Sequence, residues 1–295
     1  MEEKALSAAQ RQARVIGLGL CVRDEVFLVD DFGLVTERTR YRAHHSLPGG
    51  MVANALVAAA EEGAEAHILT MLGQDADGRF LASQLRKRGI VTRKVQYHGE
   101  HETTTSVVLV ERSTGERRFL VPDRRALERD APDFDLSSLR AGSVLMIDGH
   151  FPDQVERAWP RAREKAIPIV ADFSDARPAF RRLLAHVDYP VLPLDFVRSY
   201  GAGGIRETLR ALYRRYGCTP VITRGEKGAV ALVDGKFLKV PPVPVRVIDT
   251  TGAGDAFHGA FAAGLAQRLS LPQALRQASR RAAHRCRQLG GVPSV

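Results

Sequence analysis

Cysteine is scarce in this chain and forms no recognisable framework. The three cysteines, Cys21, Cys218 and Cys286, are odd in number, far apart and never spaced as C-x-x-C. That excludes a disulfide scaffold or a zinc ribbon and fits a reducing compartment. Aromatic residues make up 6% of the sequence and tryptophan occurs once, so the basic residues lack the interleaved rings that stack nucleic-acid bases. No window holds the roughly 18 apolar residues of a membrane span. The opening stretch, MEEKALSAAQRQAR, is charged without an apolar centre, so it reads as no signal peptide and points to the cytoplasm. Nucleotide signatures are missing too. There is no G-x-x-x-x-G-K-[ST] loop, and Gly17-Leu18-Gly19 lacks the third glycine of a dinucleotide fingerprint.

What is present describes a globular protein. Hydrophobic residues are 44% and charged residues 26%, and 295 residues suit one large α/β domain with a small appendage. The net charge of +9 comes from scattered pairs such as Arg117-Arg118, Arg124-Arg125 and Arg214-Arg215. The densest basic stretch, Arg276 to Arg287, falls on the last expected helix, where cations suit the dipole. The charge therefore reads as solvated surface with a modest attraction for anions such as ATP, not as a nucleic-acid site.

The periodicity predicts β-type runs at 15–22 and 26–29, a helix over 51–62, a strand at 66–71 and a helix over 77–89. Further β-type runs lie near 92–98, 104–111 and 117–121. Strands at 143–147, 168–171, 188–192 and 219–223 then alternate with helices at 153–165, 175–186 and 203–216. A hairpin over 229–233 and 236–240 turns at Asp234-Gly235, and helices at 252–268 and 271–288 close the chain. The alternation predicts an α/β fold, a doubly wound, mostly parallel sheet flanked by helices, over residues 14–295 behind a tail at 1–13. The strands from about 22–45 and 92–121 do not alternate with helices and are expected to form a small separate β-sheet.

The densest chemistry lies in Asp249-Thr250-Thr251-Gly252-Ala253-Gly254-Asp255-Ala256-Phe257. Small residues between a β-branched run and a long apolar helix leave backbone N–H groups free at the positive end of a dipole, which favours an anion. Gly252, Ala253 and Gly254 let a phosphate approach those amides closely. Asp255, one turn on, is placed to take a proton from a hydroxyl attacking that phosphate. The same residues also allow a plainer reading, with Asp255 as a dipole partner and Asp249 or a threonine as a cap.

The full string DTTGAGDAFHGAF resembles the C-terminal signature of the ribokinase-like (PfkB) carbohydrate kinases. Gly49-Gly50-Met51-Val52-Ala53-Asn54-Ala55, followed by Gly63-Ala64 and Gly73-Gln74-Asp75-Ala76-Asp77-Gly78, resembles their N-terminal signature. The two lie in family order, and the resemblance covers about residues 14–295. Asp24 in GLGLCVRDEVF, the Ser113–Arg118 hairpin and the closing Cys286–Gly291 stretch are most similar to ketohexokinase and sulfofructose kinase.

The resemblance implies ATP-dependent phosphorylation of a hydroxyl on a small ketose- or furanose-like sugar. Asp255 would be the general base and Gly252, Ala253 and Gly254 the anion hole. Asp24, Gly50 and Asn54 would bind sugar hydroxyls, and Arg117, or Arg118 in its place, would reach the transferred phosphate. Thr223, Gly225 and Gly228 would line the nucleotide side, although both glycines also suit plain turns. The small sheet would act as a lid and clasp a second copy in a homodimer. Mg2+ would arrive on ATP, a monovalent cation could assist, and no metal site of the chain's own with Cys or His ligands is expected.

The chain departs from the family in places. Met51 stands where a polar sugar contact is expected. The magnesium-linked N-x-x-E element should fall near 194, where the chain reads Leu194-Asp195-Phe196-Val197, leaving Asp195 or Glu226 as helpers. His150 either faces the site or is structural. Two rival readings share this fold, a nucleoside kinase and a non-catalytic sugar or nucleotide sensor.

Overall fold

The computed structural model describes residues 13–34 and 38–287. Its strands are β1 (Arg14–Leu18), β2 (Val22–Val29), β3 (Ala43–Gly49), β4 (Glu65–Leu69), β5 (Met71–Gly73), β6 (Gln96–His98) and β7 (Thr105–Glu111). There follow β8 (Arg117–Leu120), β9 (Ser143–Ile147), β10 (Ile169–Asp172), β11 (Tyr189–Leu192), β12 (Val221–Thr223), β13 (Ala229–Val233) and β14 (Lys236–Val240).

Apolar residues at successive positions, not alternate ones, build the main sheet, because both of its faces are covered. In β1, Val15 enters one core cluster while Ile16 and Leu18 enter the other, and Val144 and Leu145 split in the same way in β9. The order is β14-β13-β12-β11-β10-β9-β1-β4. Pairing is parallel from β4 through β12 and antiparallel for β13 and β14. One face carries the helices Met51–Glu61, Ala253–Ala266 and Leu271–Arg285, and the other carries Pro152–Glu164, Leu194–Tyr200 and Ile205–Tyr216. A second sheet of four strands runs β3-β2-β7-β8.

The expected doubly wound sheet is present, as are the hairpin at Asp234-Gly235 and the small sheet. Some segments differ. The run expected as one strand over 15–22 breaks at Gly19-Leu20-Cys21, so β1 enters the main sheet and β2 the small one. Residues 92–98 do not join the small sheet: β6 pairs with β5 in a ribbon of its own. The helix expected over 175–186 shortens to Pro178–Leu183 plus a 3-10 turn at Leu184–His186, and helices Arg125–Arg129 and Leu194–Tyr200 were not foreseen. The tail expected at 1–13, apart from Ala13, and the closing residues beyond 287 lie outside the described residues.

The helices Met51–Glu61 and Ala253–Ala266 carry alanines and glycines where they cross. A Cβ on Gly259 would fall on the carbonyl of Ala55. On an open helix face Gly→Ala gains about 0.5–1 kcal/mol. Here Gly259→Ala is expected instead to lower unfolding free energy by about 1–3 kcal/mol, the usual cost of overpacking. Urea unfolding measures it, and a neutral or stabilising substitution would contradict the contact.

Candidate active site

Chain connections leave β1 for β4 on one side and reach β9 on the other, so the sheet order reverses at β1. Ligands of open α/β sheets bind outside the carboxyl ends of the strands at such a point. Both signature segments meet there. Gly50, with φ 100°, caps the helix Met51–Glu61, and Gly252, with φ 68°, caps the helix Ala253–Ala266. Neither conformation suits a residue with a side chain. From the first turns of these helices, Asn54 Nδ2 donates to Asp255 Oδ2 at 2.8 Å. Two positive helix ends therefore converge on one spot.

Carboxylates gather around it. Asp255 is half-buried, and burial and the nearby Asp172 carboxylate push its pKa up to about 7, with the Asn54 hydrogen bond and His258 acting against them and Asp24 adding to the rise. Asp24, on β2, packs against Gly49, where a Cβ would overlap its carboxylate. Burial pushes Asp24 up to about 6, opposed by Arg124. Asp148, fully buried after β9, accepts from the amides of Leu20 at 2.9 Å and His150 at 3.1 Å. Asp172, closing β10, is raised by burial and by Asp148 and lowered by His258.

The GAG turn, expected to offer three free amides, needs one correction. The Ala253 amide already donates to the Thr250 carbonyl at 3.2 Å, so it is not free as expected. Among the described residues the amides of Gly252 and Gly254 have no such acceptor. A Cβ on Gly254 would meet no protein atom within 4 Å, so the space over that residue is open. Arg117 reaches this loop from β8, donating to Asp249 Oδ1 at 2.5 Å, while the same oxygen accepts from the Thr251 amide and hydroxyl. Arg118 instead lies over the Phe32 ring.

Other expected residues sit farther from the chemistry. Thr223 ends β12, with its hydroxyl 3.4 Å from the Leu192 carbonyl. Gly225, with φ 56°, opens a 3-10 turn, and Gly228, with φ 73°, packs where a Cβ would strike the Val240 carbonyl. Gly228 is therefore required by the backbone. His150 is bonded to Glu128 at 2.6 Å, which favours the structural reading. Asp195 is exposed and paired with Arg198 at 2.6 Å. Asp75 caps the helix Ala76–Lys87 and accepts from the Thr103 amide, so that part of the N-terminal signature shapes the backbone. Among the described residues no group of three His, Cys, Asp or Glu side chains could hold a metal.

Asp148, Asp172, Arg124 and His258 were missed in the sequence. The aspartates carried a usable signal, since each ends an apolar run, SVLMID and IVAD, at the carboxyl edge of a parallel strand.

Burying Asp24 has a cost that depends on pH. With its pKa raised in the folded state, the native protein binds the extra proton between the unfolded value near 4 and about 6, so the group's destabilising effect grows across that window. Asp24→Asn is therefore expected to gain stability over the parent at pH 8 and to lose that advantage at pH 4. Melting temperatures across pH test it, and a pH-independent difference would contradict it.

The chain matches the family model "pfkB family carbohydrate kinase" over residues 12–295. It is 28% identical to ribokinase of Bacillus subtilis (strain 168), covering 90% of each chain. It is 25% identical to ketohexokinase of Mus musculus, covering 93% of this chain and 96% of the relative. It is 30% identical to fructoselysine 6-kinase of Escherichia coli (strain K12) over 78% of this chain and 85% of the relative. Among solved structures, Arabidopsis thaliana ribokinase complexed with ribose and ATP superposes with a TM-score of 0.80 at 22% identity, covering 95% of this chain and 96% of the other. Adenosine kinase from Sinorhizobium meliloti gives 0.82 at 21%, covering 96% and 97%. The two carboxyl-edge signatures, joined by the Asn54–Asp255 bond, thus lie within a chain that belongs to the pfkB family of carbohydrate kinases, sugar kinases of ribokinase-like fold.

Proposed function

We propose that this enzyme transfers a phosphoryl group from ATP to a hydroxyl of a small ketose- or furanose-like sugar. The observation that carries the reading is the Asn54–Asp255 hydrogen bond, which puts a carboxylate of raised pKa between two helix N-termini. An anion at those N-termini and a base beside it are what phosphoryl transfer to an alcohol needs.

In this reading Asp24, the Gly50 backbone and Asn54 hold sugar hydroxyls, since carboxylate and amide groups can satisfy several at once. Asp255 accepts the proton of the attacking hydroxyl. The free amides of Gly252 and Gly254 face the transferred phosphate, and Arg117 stands behind the turn through Asp249. Thr223, Gly225 and Gly228 border the nucleotide from the end of β12. Mg2+ would come with ATP. Bound there it would neutralise charge on the phosphates. Met51 sets an apolar wall beside Gly50.

The small sheet would serve as a lid that keeps water from competing with the sugar. Its edge strand β8 exposes Phe119 and Leu120, and Val121 follows them, at 59%, 63% and 55% of their surface. Open apolar edges are covered in stable proteins. We therefore read this edge as the seam of a homodimer.

If Asp255 is the base, Asp255→Asn should stay folded and keep ATP and sugar affinity within a few-fold, while kcat falls by roughly 10²–10⁴. An Asn variant with normal turnover would remove Asp255 from that role. ATP consumption measured against ketoses, aldoses and nucleosides names the substrate, and turnover of nucleosides without any ketose would replace it. For the dimer, sedimentation of the parent as two copies and of Leu120→Glu as one is expected. A monomeric parent would refute the seam.

A further inference from the structure

His258 is 3% exposed, and acceptors surround its ring. Nδ1 lies 2.8 Å from the Gly254 carbonyl and 3.3 Å from Asp172 Oδ2, and Nε2 lies 2.8 Å from the Val191 carbonyl. Asp172 and Val191 are register partners on β10 and β11, so the ring bridges the GAGD turn to two strand ends. A neutral imidazole donates from one nitrogen only. It would press the lone pair of the other nitrogen against a buried carbonyl, a costly mismatch. A proton shared from Asp172 does not remove the conflict, because the Gly254 carbonyl is nearer to Nδ1 than the carboxylate is.

We propose that His258 is held as an imidazolium, a positioning residue that ties the Gly254 turn to the carboxyl edge of the sheet and supplies counter-charge to Asp172 and Asp255. The second half of this statement rests on the reading of Asp255 as the base; the first does not. Charged groups surround the ring. Asp172 faces the ring from β10, and Asp255 lies one turn back on its own helix. Asp148 adjoins Asp172, while Asp24 and Arg285 adjoin Asp255. The four carboxylates are met by Arg124 at Asp24, His150 at Asp148 and Arg285 near Asp255, with the His258 ring at the centre of the group.

The arrangement acts on the chemistry in two ways. The peptide plane whose carbonyl His258 grips carries the Asp255 amide at its other end, so the ring sets the tilt of that amide at the mouth of the helix. Residues three apart on a helix are neighbours, so the positive ring also favours the ionised form of Asp255.

Nitrogen NMR of the full chain labelled with 15N-histidine tests the protonation state without turnover. Both ring nitrogens of His258 should carry protons at pH 7, whereas a ring with one N–H would overturn the proposal. His258→Gln keeps a donor and removes the charge. The acid limb of kcat should move up by about one pH unit, with about fivefold lower kcat at pH 7 and sugar KM little changed. A Gln variant with a lower melting temperature and an unmoved pH profile would make His258 merely structural. If neither variant nor parent turns over any sugar, the kinase reading fails while the NMR result still decides the imidazolium. If the variant does not fold, the NMR of the parent decides alone.

Discussion

The meeting of two helix N-termini organises this molecule. Each helix begins at a glycine with positive φ, a conformation that strains other residues, and each sends one side chain of its first turn across the gap, Asn54 to Asp255. For the ends to approach, the helices must pack backbone to backbone, which explains the alanines of 51–61 and Gly259 against Ala55. The crossing of those helices on one face of the sheet then fixes where β1 and β9 can deliver Gly19 and Asp148.

The price of this convergence is electrostatic. Four carboxylates share one end of the sheet, and burial disfavours the charge on each. What offsets the repulsion is placed close by: helix dipoles, amides on Asp148, the Asn54 amide and the His258 ring. Well-packed hydrophobic residues in place of such buried charges are often neutral or stabilising, so the cluster adds little to stability and accords with the chemistry proposed for it.

Much of this could be read along the chain. The apolar runs from 143 to 223 alternate with helical patterns because each strand is buried on both faces, and the structure follows that pattern nearly element by element. The GAGD turn stood out because small residues separate a β-branched run from a long apolar helix, whereas Asn54 was reached only through the resemblance of 49–55 to the family signature. The break at Gly19–Cys21 was not legible, since Leu20, Cys21 and Val22 continue the apolar run, and the Leu20 amide that turns to Asp148 finds its partner far away in sequence. Nor was the fate of 92–98: pairing of β6 with β5 is a choice among edges that local sequence does not record. His258 escaped notice because its meaning depends on Val191, far away in sequence.

The Arg117–Asp249 ion pair links the small sheet to the loop that precedes the GAG turn. Any ligand that shifts β8 must strain or release this pair, and any anion in the turn changes the field that holds it. Ligands held at both places would be linked through this pair, and linkage is reciprocal: whatever factor the first imposes on the affinity of the second, the second returns to the first. The final free energy is the same whichever ligand arrives first, as in any thermodynamic cycle; what the guanidinium can add is a voice for each in how tightly the other is kept.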